Sequence, residues 1–245
     1  MHFPLRHFAE LDSTNSEATR LAHGGEAGPL WIVADHQTAG RGRRGRVWRG
    51  ASGNLAATLL LTTERPSVEV AQMAFVTALA VADMAAAFVP ADVVRLKWPN
   101  DLMVAGAKAG GVLIETGVTP VPLEREGRWL AIGIGVNLVE APADTPYPAT
   151  ALADHGERPT RDRALEVLDV AFDRWLTVWD QGDFEPLRVA WTARAHGLGE
   201  PCTVALGDRR LTGVNEGLDA DGALLLRVDA TVQRITAGDV IFGGV

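Results

Sequence analysis

Between the apolar run Leu30-Trp31-Ile32-Val33-Ala34 and a second one from Asn54 to Leu61, the chain carries His36-Gln37-Thr38-Ala39-Gly40-Arg41-Gly42-Arg43-Arg44-Gly45-Arg46-Val47-Trp48-Arg49-Gly50-Ala51-Ser52-Gly53. Five arginines fall within positions 41 to 49, interleaved with glycines. The two apolar runs read as strands, so both ends of a flexible basic loop are held by sheet. Its glycines let the backbone turn through positive φ and bring N–H groups close to an anion. Its arginines add planar, permanently charged forks that match phosphate and carboxylate oxygens. The formal net charge is −8, so basic charge concentrated in one loop predicts an anionic ligand there. A solvated basic loop or an Arg/Gly-type nucleic-acid contact is the plainer alternative.

That balance argues against general nucleic-acid or anionic-membrane binding, because nothing outside the loop offers a sustained basic face. One cysteine, Cys202, excludes an internal disulfide and a multi-cysteine metal site, and fits a reducing cytoplasm. The N-terminus lacks the apolar run of a signal peptide. Ala71 to Val89 is about long enough to span a bilayer. It carries Gln72, Thr77 and Asp83 and is mostly alanine, which favours a buried helix.

In chain order, Phe8 to Leu11 reads as a strand, and Ser13 or Thr14 as the cap of a helix ending near His23, with Glu17 completing a capping box. Ser67 to about Phe88 reads as one long helix. Val93 to Leu96 is a strand running into Lys97-Trp98-Pro99-Asn100-Asp101, and Leu102 to Glu115 a hairpin with Lys108 near its return. After a polar turn at Glu124-Arg125-Glu126-Gly127 comes a strand from Trp129 to Asn137. Gly133 and Gly135, two apart, share one face of it and leave that face bare, for a ligand ring or another backbone. Pro142, Pro146 and Pro148 mark an irregular connection, and Arg161 to about Trp179 is an amphipathic helix. From Glu200 the texture changes to short strands with turns at Gly207-Asp208 and Asp221-Gly222, a small all-β module packed on the rest.

Three loops thus call for one ligand. The arginine loop offers anion donors, Lys97 and Lys108 offer ammonium groups, and Asn100-Asp101 offers an amide and a carboxylate suited to a metal or an amine. Fixed cations stabilise the charge that spreads at phosphorus in nucleotidyl transfer. No Gly-x-x-x-x-Gly-Lys-Ser/Thr loop is present, so this is not a P-loop enzyme.

Leu11-Asp12-Ser13-Thr14-Asn15, the loop from Gln37 to Trp48, Lys97-Trp98-Pro99-Asn100-Asp101, Lys108-Ala109-Gly110-Gly111-Val112-Leu113-Ile114-Glu115 and Gly133-Ile134-Gly135-Val136-Asn137 occur in an order that resembles the biotin protein ligases. The likeness is strong over residues 8–138 and one of pattern only over 200–245. It departs where the family often has a bulkier residue than Ala109-Gly110, and at the short 50–53 connection. It implies an α+β fold, a central mixed sheet with flanking helices like class II synthetases and biotin/lipoate ligases, over residues 1–198. A small SH3-like β-barrel would follow over 199–245.

The implied activity is a two-step ligation. ATP and biotin give biotinyl-5′-AMP, and biotin then passes to a lysine of the biotin carboxyl carrier protein of acetyl-CoA carboxylase or a related carboxylase. The resemblance assigns biotin to Ser13, Thr14, Asn15, Gln37, Arg41, Gly42, Arg43, Lys108, Gly111, Gly133 and Gly135. It assigns the nucleotide to Arg41, Arg43, Arg44, Arg46, Trp48, Lys97, Asn100, Lys108 and Asn137. Lys108, Arg43, Lys97 and Asp101 would carry the chemistry, Asp101 orienting or deprotonating the acceptor lysine. Mg²⁺ would accompany ATP, its carboxylate ligand left open. Because the first motif begins near residue 11, the expectation is a monofunctional cytoplasmic ligase without the DNA-binding domain of larger members, with no membrane contact. A homodimer is common in the family, but no residue here demands one. The rivals are a lipoate or octanoate ligase or transferase of the same fold, and a non-enzymatic nucleic-acid binder.

Overall fold

Strict alternation of side chains across a strand decides how this chain layers. The structure, a computed structural model, describes residues 1–123 and 126–242. The polar turn expected at Glu124-Arg125 therefore lies outside the described residues. In chain order come β1 (Leu5–Leu11), α1 (Thr14–His23), β2 (Leu30–Gln37), β3 (Leu55–Thr63), α2 (Ser67–Val70), α3 (Met73–Ala86), β4 (Val94–Lys97), β5 (Asp101–Val104), β6 (Ala107–Val118) and β7 (Arg128–Val136). They are followed by α4 (Arg161–Asp180), α5 (Glu185–Thr192), β8 (Pro201–Leu206), β9 (Arg209–Leu218), β10 (Leu224–Val228), β11 (Thr231–Ile235) and β12 (Asp239–Phe242).

Seven strands form one sheet in the order β1-β2-β3-β7-β6-β5-β4. The β1–β2 pair is parallel and its neighbours are antiparallel, giving the mixed sheet of an α+β fold. Trp31 and Val33 of β2, Leu59 and Leu61 of β3, and Leu130, Ile132, Ile134 and Val136 of β7 face the main core with α3 and α4. The alternate residues Leu30, Ile32, Leu60, Trp129 and Ala131 pack with Ala18 and Ala22 of α1 on the other face. Helices thus cover both faces, as the near-continuous apolar strands require.

The long helix expected from Ser67 divides into α2 and α3. Ser67–Ala86 is apolar and long enough to cross a membrane, but α3 packs on the sheet and α4 with eleven of its fourteen residues buried. No side-chain cap forms at the start of α1. Thr14 turns instead to Gln37, and Glu17 pairs with Arg20, so tertiary partners replace the expected capping box.

The C-terminal strands correct the expected barrel. They form an open antiparallel sheet in the order β11-β10-β9-β8-β12, and its two outer strands are not joined to each other. Closure would bury the sheet's apolar face against itself. Here Cys202, Val204, Leu218, Leu224, Leu226, Ile235 and Val240 join the same core as Phe75, Phe184 and Trp191. The face is covered by the rest of the chain, so nothing drives the edges together.

One buried carboxylate ties the N-terminus to this core. Fully buried Asp169 of α4 accepts the Trp31 indole N–H at 2.8 Å and the Phe3 amide at 3.3 Å, along with the amide of His2. Asp169→Ala strands these donors. It is expected to lower stability by about 3 kcal/mol, read as a reduced urea midpoint at unchanged m-value.

Candidate active site

Beyond Trp129 and Ala131, the α1-facing positions of β7 are Gly133 and Gly135. A Cβ at Gly133 would overlap the Asn15 amide, and one at Gly135 the Trp48 indole. The bare strip lets the start of α1 and the Trp48 ring lie directly on the strand. Around it opens a cavity of about 450 Å³ whose walls come from α1, the arginine loop, β4 to β7 and the C-terminal sheet.

The first wall is neutral and hydrogen-bonded. Ser13, Thr14 and Asn15 are buried. The Thr14 amide and hydroxyl both donate to Gln37 Oε1, at 2.8 and 3.1 Å. The Thr58 hydroxyl lies 2.8 Å from Thr14 Oγ1 and 2.7 Å from Asn15 Oδ1. Asn15 Nδ2 donates to Glu115 Oε2 at 2.8 Å and to the Leu113 carbonyl at 3.2 Å. Thr58 is paired with Gly133 across β3 and β7, so the missing side chain there is what admits Asn15.

The opposite wall is cationic. Lys97 and Asp101 face each other across the β4–β5 pair, with 3.1 Å between Lys97 Nζ and Asp101 Oδ2. A register shift between Leu102 and Met103 brings Lys108 of β6 to the same carboxylate, where its Nζ donates to Oδ1. Burial pushes the Asp101 carboxyl upward, but Lys108 and Lys97 outweigh it and hold it below the usual carboxylate range. Asn100 accepts from Arg43 Nη1 at 2.9 Å while its own amide donates to the Val112 carbonyl.

The arginine loop forms the roof. A tight turn joins the Gly42 amide to the Arg46 carbonyl at 2.7 Å, with Arg44 in the left-handed region at φ 55°. Arg41 pairs with Glu115 at 2.8 Å. Burial pulls the Arg43 guanidinium below its usual value while Asp239 pulls it back, and it remains charged.

Nearly every residue proposed from sequence thus lines this one cavity: Ser13, Thr14, Asn15, Gln37, Arg41, Gly42, Arg43, Arg46, Trp48, Lys97, Asn100, Asp101, Lys108, Gly111, Gly133 and Gly135. Arg44 and Asn137 are not among its walls. Arg44 reaches Asp239, and buried Asn137 donates to the Thr150 carbonyl and braces the connection after β7. The sequence reading missed Thr58, Glu115, Tyr147, His196 and Asp239. Tyr147 places its ring 5.3 Å from Lys108 Nζ, and the neighbouring Pro148 carbonyl accepts from the Lys108 amide. Its signal was being the single tyrosine, set between two prolines. His196 stacks edge-on with Phe242 at 5.0 Å, and burial lowers its proton affinity.

The two carboxylates in the walls, Asp101 and Asp239, are both engaged by cations, and no group of three metal-binding side chains occurs among the described residues. A metal caged by protein alone does not fit this site.

Residues 8–137 match the model of the biotin/lipoate A/B protein ligase family, and residues 197–243 match that of the biotin protein ligase C terminal domain. The chain belongs to the biotin protein ligases. It is 41% identical over 244 residues to the biotin--[acetyl-CoA-carboxylase] ligase of Paracoccus denitrificans, covering 96% of this chain and 99% of that one. It is 31% identical over 241 residues to the bifunctional ligase/repressor BirA of Bacillus subtilis, covering 95% of this chain and 72% of that one. A solved biotin protein ligase from Aquifex aeolicus, in complex with biotin and ATP, matches with TM-score 0.79 at 28% identity and 97% coverage of each chain.

In this ligase the folded state holds the Asp101 pKa below its unfolded value of about 3.9. The ionised carboxylate therefore stabilises the fold above about pH 4, and that contribution is lost as pH falls through the lower folded pKa. Asp101→Asn should cost about 2 kcal/mol at pH 7, with the deficit fading as pH falls below about 4 in parallel urea titrations.

Proposed function

We propose that this chain is an AMP-forming biotin protein ligase that joins biotin to a lysine of a biotin carboxyl carrier protein. The observation that carries the reading is one cavity with a neutral hydroxyl-and-amide wall, a glycine floor and a cationic wall. That combination suits a small neutral ring system bearing an acidic tail, next to a nucleotide.

Ser13, Thr14, Asn15 and Gln37 hold the ureido head, while Gly111, Gly133 and Gly135 leave room for the ring and chain. Arg41, Gly42 and Arg43 lie over the carboxylate end. Trp48, Lys97, Asn100 and Arg46 receive the nucleotide. In the first half-reaction a biotin carboxylate oxygen attacks the α-phosphorus of ATP, the bond to the β-phosphate bridge breaks, and pyrophosphate leaves with the electron pair. Lys108 and Arg43 screen the two anions as they approach and stabilise the charge that builds on the phosphoryl oxygens. In the second, the acceptor ε-amine as free base attacks the acyl carbonyl. AMP leaves with the electron pair of the anhydride bond, and the amine's proton passes to solvent.

A carboxylate kept ionised between two ammonium groups is a weak base. Asp101 thus acts as a positioning residue that aligns Lys97 and Lys108, rather than as the group that deprotonates the acceptor. Mg²⁺ accompanying ATP would neutralise part of the phosphate charge. The reading includes a cytoplasmic enzyme that works without DNA or membrane, and two units divided between residues 198 and 199. Sedimentation analysis tests whether the chain forms the homodimer that is common in the family.

The test is biotin-dependent exchange of labelled pyrophosphate into ATP, followed by addition of a carrier domain. Lys108→Ala is expected to lower exchange by about 10³-fold. Exchange supported by lipoate or octanoate and not by biotin would move the assignment to the sister activity.

A further inference from the structure

Few bonds reach the tip of the arginine loop, residues 42–46, from elsewhere. Among the described residues they are Arg43 to Asn100 and a set to two consecutive residues at the start of β12, Gly238 just before the strand and Asp239, its first residue. Arg44 Nη1 lies 3.0 Å from Asp239 Oδ2, and Arg46 Nη2 spans both carboxylate oxygens at 3.1 and 3.0 Å. Arg43 Nη1 is 3.5 Å from Oδ1, while its Nη2 donates to the Gly238 carbonyl at 3.1 Å. One carboxylate thus meets three guanidinium groups, across 193 or more residues of chain.

Such pairs are weak one at a time. These act on a single short turn, so all of them must part for the tip to lift. Their division of labour is visible in the geometry. Arg44, whose backbone is in the left-handed region, does not line the cavity and pairs with Asp239. Arg43 has the loosest contact with Asp239 and the closest one with Asn100, which leaves it aimed inward. The tip therefore stays fastened through Arg44 and Arg46 while Arg43 answers to an anion inside. Three positive charges on one negative charge also leave the roof net positive.

We propose that Asp239 is a positioning residue that fastens the arginine tip to the C-terminal sheet and so retains biotinyl-5′-AMP within the cavity until the acceptor lysine arrives. The inference rests on the ligase reading above. It makes the edge strand β12 part of the roof, and the C-terminal sheet a determinant of how long the reactive anhydride is kept from water and from stray amines.

The experiment loads the full chain with labelled biotin and ATP, removes free ligand by rapid gel filtration, and follows the protein-held adenylate over time. Asp239→Asn keeps shape and removes charge, and it should shorten the half-life about tenfold, with matching labelling of a bystander protein. Asp239→Glu restores the charge and should return the half-life to within about twofold of the parent. Arg44→Ala should shorten it partly, and the Asp239→Asn/Arg44→Ala pair should be no worse than Asp239→Asn alone. Trypsin should also cut after the loop arginines faster in Asp239→Asn than in the parent. An unchanged half-life in a folded Asp239→Asn protein that still exchanges pyrophosphate would overturn the proposal and leave the ligase reading standing. If Asp239→Asn melts below the parent, Arg44→Ala decides, and a parental half-life there is equally fatal. Absence of biotin-dependent exchange in the parent chain overturns the ligase reading itself.

Discussion

A strand covered by helices on both faces can border a cavity only where its side chains stop, and β7 stops them on one face alone. Toward α3 and α4 it carries Leu130, Ile132, Ile134 and Val136 without a break. Toward α1 it carries Trp129, Ala131 and then two glycines. Stability and site are thus separated by the period-2 geometry of one strand. The main core keeps its close packing, and the gap forms on the opposite face without weakening it. Asn15 at the start of α1 could not keep its position if Gly133 had a side chain, nor the Trp48 ring if Gly135 had one.

On that floor, charge is arranged before any ligand is considered. Lys97 and Lys108 converge on the same part of the cavity wall, and two mostly buried ammonium groups so placed repel each other and lose hydration. Asp101 between them offsets that repulsion, and the two ammonium groups in turn hold its carboxyl below the usual carboxylate range. The cluster keeps one net positive charge. An incoming carboxylate and phosphate therefore meet a cation that is already aimed, with little reorganisation left to perform. The β-bulge between Leu102 and Met103 is part of this device, because it sets Lys108 in register to reach the carboxylate.

The parts of this arrangement that depend on local order were readable from the chain. The apolar runs marked β2, β3 and β7 as strands, the spacing of Gly133 and Gly135 marked the bare strip, and the arginine run marked a basic loop for an anion. Three things depended on contacts between distant segments. Ser13-Thr14-Asn15 with Glu17 has the composition of a capping box, yet Gln37 and Thr58 compete for the same groups and prevail. The short C-terminal strands have the pattern of a small barrel, but a strand's apolar face does not encode whether it is covered by its own sheet or by another element. Phe75, Phe184 and Trp191 supply the cover here, and the sheet stays open. Asp239 stands in an unremarkable Ala237-Gly238-Asp239-Val240 segment, and only the fold shows that the arginines meet it.

The basic loop then has a different character from the one its composition suggests. Five arginines in nine residues look like a mobile, solvated patch, and a mobile patch would attract anions without placing them. In the folded chain Arg41 is held by Glu115, Arg43 by Asn100 and the Gly238 carbonyl, and Arg44 and Arg46 by Asp239. These partners lie on β6, the β4–β5 turn and the C-terminal sheet, so the loop is fastened at three points around the cavity. Each contact is weak and exchangeable for a phosphate or carboxylate oxygen, whereas a buried hydrophobic anchor would not be. A roof built this way places its guanidinium groups to orient an anion and leaves each of them able to exchange its partner for an anionic oxygen. That balance follows from using partly exposed ion pairs, rather than apolar packing, at the loop's tip.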